Sequence, residues 1–304
     1  MPDISRAEVA SLIQEAYSND LLTGAKEAST VLQAFPTVSM GTKTTHMPVL
    51  AALPEAGWVS ESATAPGGVK PQSEAAWQDR TLVAEEIAVI IPVHENVLDD
   101  ASTDVLSEIS ALGGQAIGKK LDQAVLLGTD KPASWVSPAL FAAATTAGQS
   151  LAVSGSTASK NDLVGRINQV SELVAAAGYL PDTLVAGLAL RFQVANLRDA
   201  NGQPIFRDES FAGFRTYFNK NGAWNAASAA ALVVDSSRVR IGVRQDITVK
   251  LLDQATVGSI NLAERDMVAI RMKARFAYVL GDGATAAGAA KTPVGLVTPA
   301  PSGS

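Results

Sequence analysis

Two neighbouring stretches decide the fold: ALVVDSSRVRIGVRQDITVKLL at residues 231–252 and DMVAIRMKARFAYVL at residues 266–280. In the first stretch, apolar and polar residues alternate from Val239 to Leu251, and in the second three cationic residues alternate with apolar ones. Alternation with a period of two residues is typical of a strand with one buried face. The two stretches therefore predict a long antiparallel strand pair.

A long helix is predicted further upstream, in ENVLDDASTDVLSEISALGGQAIGKKLDQAVLLG at residues 95–128. Its apolar residues recur at steps of three and four from about Asp104 to Leu127, and Gly128 is a suitable C-terminal cap. Gly113 and Gly114 lie in the middle, where each costs about 1 kcal/mol relative to Ala. We interpret the pair as a hinge, and the alternative is that small residues let a neighbouring group pack closely.

Two strands rich in Val, Ile and Leu are predicted before this helix, at 46–53 and 81–93. The connection between them is longer than the roughly 12–15 residues of an ordinary structureless loop. It contains Trp58 near one end and Trp77 near the other, and large aromatic side chains are unfavourable in water. We therefore expect a hairpin that packs on a neighbouring molecule, with a flexible surface excursion as the alternative.

The rest of the chain alternates helix and strand. A helix is predicted from Asn161 or Asp162 to Gly178, followed by a strand at 183–186, and Asn221-Gly222 is a turn signal. The stretch 281–304 is rich in Ala, Gly, Thr, Pro and Ser, and only 293–297 could form a short strand.

Composition excludes several classes of protein. The 304 residues are 47% hydrophobic and 18% charged, which is sufficient for a packed core. Cysteine is absent, which rules out disulfides and thiolate metal sites, and no signal peptide or membrane-spanning run is present in the sequence. The net charge of -6 argues against a basic surface that coats nucleic acid.

Catalytic patterns are weak. His46 and His94 lie beside prolines in predicted strands, and we interpret them as structural because no second metal ligand follows at a recognisable spacing. The adjacent carboxylates Glu85-Glu86 would point to opposite faces of a strand. We therefore expect no catalytic residue, no cofactor, no metal site and no enzyme activity.

In this order the parts resemble the Hong Kong 97 type capsid fold of tailed bacteriophages. The motifs that carry the resemblance are VHENVLDDAS and LLGTDKPASW at the two ends of the helix, LRDANGQPIF followed by FAGFRTYF, and the two strand stretches quoted above. The resemblance implies an α+β fold made of the following segments: an N-terminal arm (1–36), a peripheral-domain strand (37–53), an extended loop (54–80), a peripheral-domain strand with the long spine helix (81–128), an axial domain (129–237), a peripheral-domain long strand pair (238–280) and a C-terminal tail (281–304).

The resemblance also implies a function. Such a major capsid protein self-assembles into hexamers and pentamers of an icosahedral shell around double-stranded DNA, without sequence-specific DNA binding and without a membrane. The expected partners are a separate scaffolding protein, a portal and a decoration protein, and the expected location is the virion, assembled in the host cytoplasm. An encapsulin, a nanocompartment shell that encloses cargo enzymes, is the alternative.

The founding member of the family is covalently crosslinked between a loop lysine and an asparagine, helped by a strand glutamate. In this chain Lys70 is a possible loop lysine, but Asp266 and Lys273 stand at the positions that match the asparagine and the glutamate. The resemblance therefore implies a capsid without crosslinks. Trp58, Lys70 and Trp77 are the expected assembly contacts.

Overall fold

The structure is a computed structural model that describes residues 23–52, 54, 56, 58–59, 76–96, 105–153, 162–196, 201, 203, 213–244, 248–283, 285 and 291–299. In the described residues, two five-stranded sheets, two separate two-stranded sheets and several helices make a mixed helix and strand fold. The helices are α1 (Thr30–Ala34), α2 (Val105–Asp122), α3 (Leu140–Thr146), α4 (Asp162–Ala176) and α5 (Leu188–Ala195). The strands are β1 (Thr37–Met40), β2 (Thr44–Ala52), β3 (Ala76–Val83), β4 (Glu85–His94), β5 (Ser150–Ala152), β6 (Thr183–Gly187), β7 (Arg215–Asn219), β8 (Ala231–Val234), β9 (Val239–Arg244), β10 (Thr248–Leu252), β11 (Thr256–Val257), β12 (Ile260–Asn261), β13 (Met267–Leu280) and β14 (Val294–Thr298).

The first sheet is built around β13. Strand β4 pairs antiparallel with its first ten residues, and β9 and β10 also pair antiparallel with it, so the predicted strand pair is confirmed. The strand predicted from 239 to 251 is interrupted, however. Val243 lies opposite Phe276 whereas Thr248 lies opposite Lys273, so the register shifts between β9 and β10.

The prediction of a single strand over 81–93 is wrong. The segment contains the end of β3, which pairs with β2, and the whole of β4, which pairs with β13. The two strands separate at Ala84, whose N–H donates to the carbonyl of Lys43 at 2.8 Å. Likewise, the single strand predicted over 37–53 is β1, parallel to β9, and then β2 of the hairpin. Both breaks depend on which strand each segment pairs with, which is why the sequence pattern did not reveal them.

Helix α2 packs on the first sheet, and the predicted long helix is observed with one difference. The last turn, Gln123–Leu127, is a π-helix, and it ends at Gly128, whose φ of 80° is left-handed. This confirms the predicted glycine cap, because a residue without Cβ adopts that conformation at little cost. Ile117 and Leu121 of α2 join Ile270 and Met272 of β13 in the main hydrophobic core.

The second sheet has the order β5-β14-β8-β6-β7 and carries α4 on one face. Helix α4, the left-handed Gly178 after it and strand β6 agree with the predictions. The C-terminal segment predicted as a tail is not peripheral over Val294–Thr298. This strand β14 lies between β5 and β8, and its residues Val294 to Val297 are buried. The short strand that the sequence allowed at 293–297 is therefore confirmed, and its place inside the sheet is what the surrounding tail composition did not predict.

Candidate intersubunit surfaces

Strands β2 and β3 form an antiparallel hairpin whose base is attached to the first sheet. Leu82 at the base joins a small apolar cluster with Met40, Ala277 and Val279. Two residues before Leu82 on β3, the Arg80 guanidinium lies 2.6 Å from a carboxylate oxygen of Asp282. Apolar contact and a half-buried ion pair together hold the hairpin base to the body of the subunit.

Large apolar side chains are exposed on this hairpin. Trp58, just beyond β2, is fully exposed, and Trp77 on β3 is 68% exposed. Lys70, the third predicted assembly contact, lies outside the described residues. Tryptophan buries more apolar area than almost any other side chain when it is covered, so the exposure of both residues is consistent with their prediction as assembly contacts.

The hairpin also accounts for one of the two histidines. His46 Nδ1 lies 2.5 Å from Asp79 Oδ2 across the two strands, and both side chains are exposed. His94 ends β4 opposite Met267. No group of three His, Cys, Asp or Glu residues that could hold a metal ion occurs within the described ranges. In the same part of the chain, no helix combines the length and the apolar character needed to cross a membrane.

The two predicted non-crosslinking positions lie apart in the structure. Asp266 precedes β13 in a left-handed conformation with φ of 49°, and its carbonyl accepts a hydrogen bond from the Glu95 N–H at 3.0 Å. Lys273 lies seven residues further along, roughly 23 Å at the usual strand rise. Its Nζ is 3.8 Å from Glu86 Oε2, which Arg275 Nη2 also approaches, to 3.2 Å. Lys273 is therefore part of a cationic sheet face that has Glu86 as a shared counter-ion.

The two glycines predicted as a hinge lie inside a continuous α2. A Cβ on Gly113 would lie 2.3 Å from Met272 Cε and 2.4 Å from its Sδ, so the absence of a side chain lets Met272 pack against the helix. Gly114 is buried too. This contact supports the close-packing alternative for Gly113, and the hinge remains a prediction.

Sequence reasoning missed a buried carboxylate at the end of α2. We define the Asp122 cluster as Asp122 with its donors Ser29, Thr30, Val31, Asn219 and Asn221. Asp122 Oδ1 accepts from Ser29 Oγ at 2.6 Å and from the Val31 N–H at 3.1 Å. Its Oδ2 accepts from the Thr30 N–H at 2.9 Å, from Asn221 Nδ2 at 2.9 Å and from Asn219 Nδ2 at 3.1 Å. Five donors therefore converge on one carboxylate that is 0% exposed.

The electrostatics of this carboxylate reflect two opposing effects. Burial raises the pKa of Asp122 above its usual value, and the hydrogen bonds from Ser29, Asn221, Val31 and Thr30 oppose this rise without cancelling it. All five groups donate, so the arrangement requires an acceptor at this point. A polar residue next to Leu121 on the buried stripe of a helix was the available signal in the sequence, and Asn221-Gly222 was recognised only as a turn.

The Asp122 cluster fixes the part of the predicted arm that the structure describes. Residues 1–22 lie outside the described ranges, but Val31 and Phe35 belong to the main core. A glycine on each side lets the arm and α2 approach closely. A Cβ on Gly24 of the arm would lie 2.9 Å from the Ala111 carbonyl oxygen, and a Cβ on Gly118 of α2 would lie 2.9 Å from that of Ala25. The predicted arm boundary at 36 therefore includes residues that are part of the folded body.

Comparisons with known proteins agree with this architecture. The Phage capsid family matches residues 10–287. No curated protein matches the chain. A solved structure from Mycobacterium phage Bobi is 75% identical, with 99% of this chain and 100% of that chain covered and a TM-score of 0.83. A structure from Microbacterium phage Oxtober96 is 38% identical, with 98% and 99% covered and a TM-score of 0.79.

A more distant structure, the capsid of an empty GTA particle computed with C5 symmetry, is 18% identical, with 90% of each chain covered and a TM-score of 0.63. At this identity the likeness concerns the fold alone. The family match favours the phage capsid expectation over the encapsulin alternative, and proteins of this family are structural and not enzymes. The chain belongs to the phage capsid family.

Proposed function

We propose that this capsid protein is the major shell subunit of a tailed phage and forms hexamers and pentamers that close an icosahedral shell around double-stranded DNA. The observation that carries the proposal is the hairpin with its exposed Trp58 and Trp77. A ring closes only when one edge of a subunit meets a different edge of its neighbour, which is a head-to-tail contact. A hairpin attached at its base and apolar beyond it provides one partner of such an asymmetric contact.

The proposed architecture is of the Hong Kong 97 type. The first sheet and α2 correspond to the peripheral domain with its spine helix, the second sheet to the axial domain and the β2–β3 hairpin to the extended loop. In this assignment β14 belongs with the axial domain instead of a tail, because it pairs with β5 and β8. The paired strands also extend the loop beyond 54–80, to Thr44 and Val83.

We further propose that the shell is fastened without covalent crosslinks between subunits. An isopeptide bond needs an amide or protonated carboxyl acceptor and a nearby base. Asp266 offers a carboxylate, and Lys273 stands where a base would be needed, beside Arg275 and with Glu86 shared between the two cations. A cationic setting favours the charged forms of carboxylates and so disfavours their attack by an amine.

As a phage capsid protein the chain is part of the virion. The proposed partners are further copies of itself, a separate scaffolding protein, a portal, a decoration protein and the packaged DNA, with assembly in the host cytoplasm. The net charge of -6 supports enclosure of DNA without a gripping basic surface.

The test is the double variant Trp58→Ala/Trp77→Ala, examined by electron microscopy and by size-exclusion chromatography. Folded subunits or capsomers that fail to make closed shells are expected, because the hairpin loses its main apolar contact area. Leu180→Ala is the matched control, since Leu180 is 77% exposed but lies just before β6 in the other half of the chain. Normal shells from the tryptophan variant would contradict the proposed role of the hairpin.

A further inference from the structure

The Asp122 cluster connects three chain segments that are distant in sequence. Ser29, Thr30 and Val31 come from the end of the arm, Asp122 from α2, Asn219 from the end of β7 and Asn221 from the turn that follows it. The hydrogen bonds span between 91 and 99 positions of sequence. Ser29 and Asn221 are joined through the carboxylate, because each donates to one of its two oxygens.

The cluster also continues into the turn after β7. Asn219 Oδ1 accepts from the Trp224 N–H at 3.3 Å, and Asn221 Oδ1 accepts from the Ala223 N–H at 3.0 Å. On the arm side, Asn221 Nδ2 donates to the Ala28 carbonyl at 2.8 Å and Asn219 Nδ2 to Thr30 Oγ1 at 3.0 Å. Each asparagine therefore holds the arm with its amide nitrogen and the turn with its amide oxygen.

We propose that Asp122 is a latch that makes arm docking and the ordered turn at 219–224 one cooperative unit. If the arm leaves, three donors withdraw and the buried carboxylate keeps only the two asparagine amides. Water must then reach it, because a buried charge without sufficient hydrogen bonds is strongly unfavourable. The asparagine side chains would turn towards that water and release the Ala223 and Trp224 N–H groups. Release of the arm therefore loosens the turn at 219–224, although the two segments are far apart in sequence.

The consequence reaches a cavity on the far side of the turn. Trp224 packs edge-on against Phe141, with ring centroids 5.3 Å apart, and its Nε1 donates to the Ala229 carbonyl at 3.0 Å. The same indole lines an apolar cavity of about 510 Å³ together with Gly187 and Leu190. Displacement of the arm is thereby transmitted through Asp122 and Asn219 to Trp224, into the second sheet.

The experiment measures opening of the turn at 219–224 in a variant of the arm, and opening of the arm in a variant of the turn. Two readouts are used on folded subunits: the rate of tryptic cleavage after Lys26, which is exposed on the arm, and hydrogen exchange of the Ala223 and Trp224 amides. Ser29→Ala removes one arm donor and leaves both asparagines in place, whereas Asn221→Ala removes a donor to the carboxylate together with its bond to the Ala28 carbonyl. The decisive measurement is therefore the exchange of the Ala223 and Trp224 amides in Ser29→Ala. Because each bond to the carboxylate is charge-assisted, we expect each variant to accelerate the opposite side's readout by about tenfold or more.

The control variant is Gln33→Ala. Gln33 Nε2 donates to the carbonyls of Lys26 at 3.1 Å and Glu27 at 2.7 Å, on the exposed side of the arm and without contact to Asp122. It should accelerate cleavage after Lys26 and leave the exchange of Ala223 and Trp224 unchanged. If Ser29→Ala behaves like this control, the arm and the turn open independently and the latch is refuted.

A double variant provides the second criterion. With a latch, Ser29→Ala and Asn221→Ala together accelerate cleavage by less than the product of their separate factors, because the first substitution has already weakened the shared unit. Separate factors that multiply fully would overturn the proposal. This comparison needs only the two single variants and their combination, so it does not depend on whether Asp122→Ala folds.

Discussion

Replacing Gly295 with alanine is expected to destabilise the subunit, because this strand residue lies directly beneath α4. The new Cβ would lie 2.3 Å from Val170 Cγ1 and 2.9 Å from Val174 Cγ2. Carbon atoms normally approach to roughly 3.5–4.0 Å, and valine side chains in a helix are confined to essentially one rotamer, so neither methyl can turn away. Overpacking of this kind costs about 1–3 kcal/mol. An overlap to 2.3 Å belongs at the upper end of that range, and alanine recovers about 0.5–1 kcal/mol of backbone entropy. A net loss of about 2 kcal/mol in the free energy of unfolding is therefore expected.

The assay is urea unfolding of unassembled subunits, with Gly165→Ala as the matched control. Gly165 lies in α4 itself, and nothing lies within 4 Å of a Cβ placed there. The control should therefore stabilise the subunit by about 0.5–1 kcal/mol through helix propensity. Adding Val170→Ala to Gly295→Ala should cost less than the two changes separately, since it removes the obstructing methyl. An unchanged free energy of unfolding for Gly295→Ala would refute the placement of β14 beneath α4.

Two further predictions concern assembly. Denaturing gel electrophoresis of mature particles should show a single band near the chain mass of 31.4 kDa, because Asp266 and Lys273 do not reproduce a crosslinking site, and a ladder of oligomers would contradict this. A hinge implies that α2 bends in one state of the shell and straightens in another. Replacing Gly113 and Gly114 together by Ala should favour the straight helix by at most about 2 kcal/mol of helix propensity, reduced by the contact of the new Cβ with Met272, and should lower the yield of shells seen in electron micrographs. If adding Met272→Ala restores normal assembly, the glycines serve packing and the hinge interpretation is wrong.

The sequence pattern predicted those helices, strands and caps that depend only on residues close together in the chain. The alternation from Val268 to Leu280 is sufficient for β13, because a strand with one buried face needs an apolar residue at every second position. The cap at Gly128 was equally predictable, since a left-handed residue at the end of a helix favours glycine. The two tryptophans were predicted as assembly contacts for a similar reason, because their cost in water does not depend on the rest of the fold, and that role stays a prediction.

The tertiary structure decided what depends on residues far apart in sequence. Nothing near Asp122 shows that Ser29 and Asn221, more than 90 positions away on either side, would donate to its carboxylate. The break between β3 and β4 at Ala84 likewise depends on which strand each one pairs with, and β14 is a strand because β5 and β8 are available to accept it. The spacing of apolar residues in the sequence was thus sufficient to predict individual helices and strands and their buried faces. Strand pairing and buried polar contacts depended on the folded chain, because hydrogen-bond partners are brought together in space and need not be close in sequence.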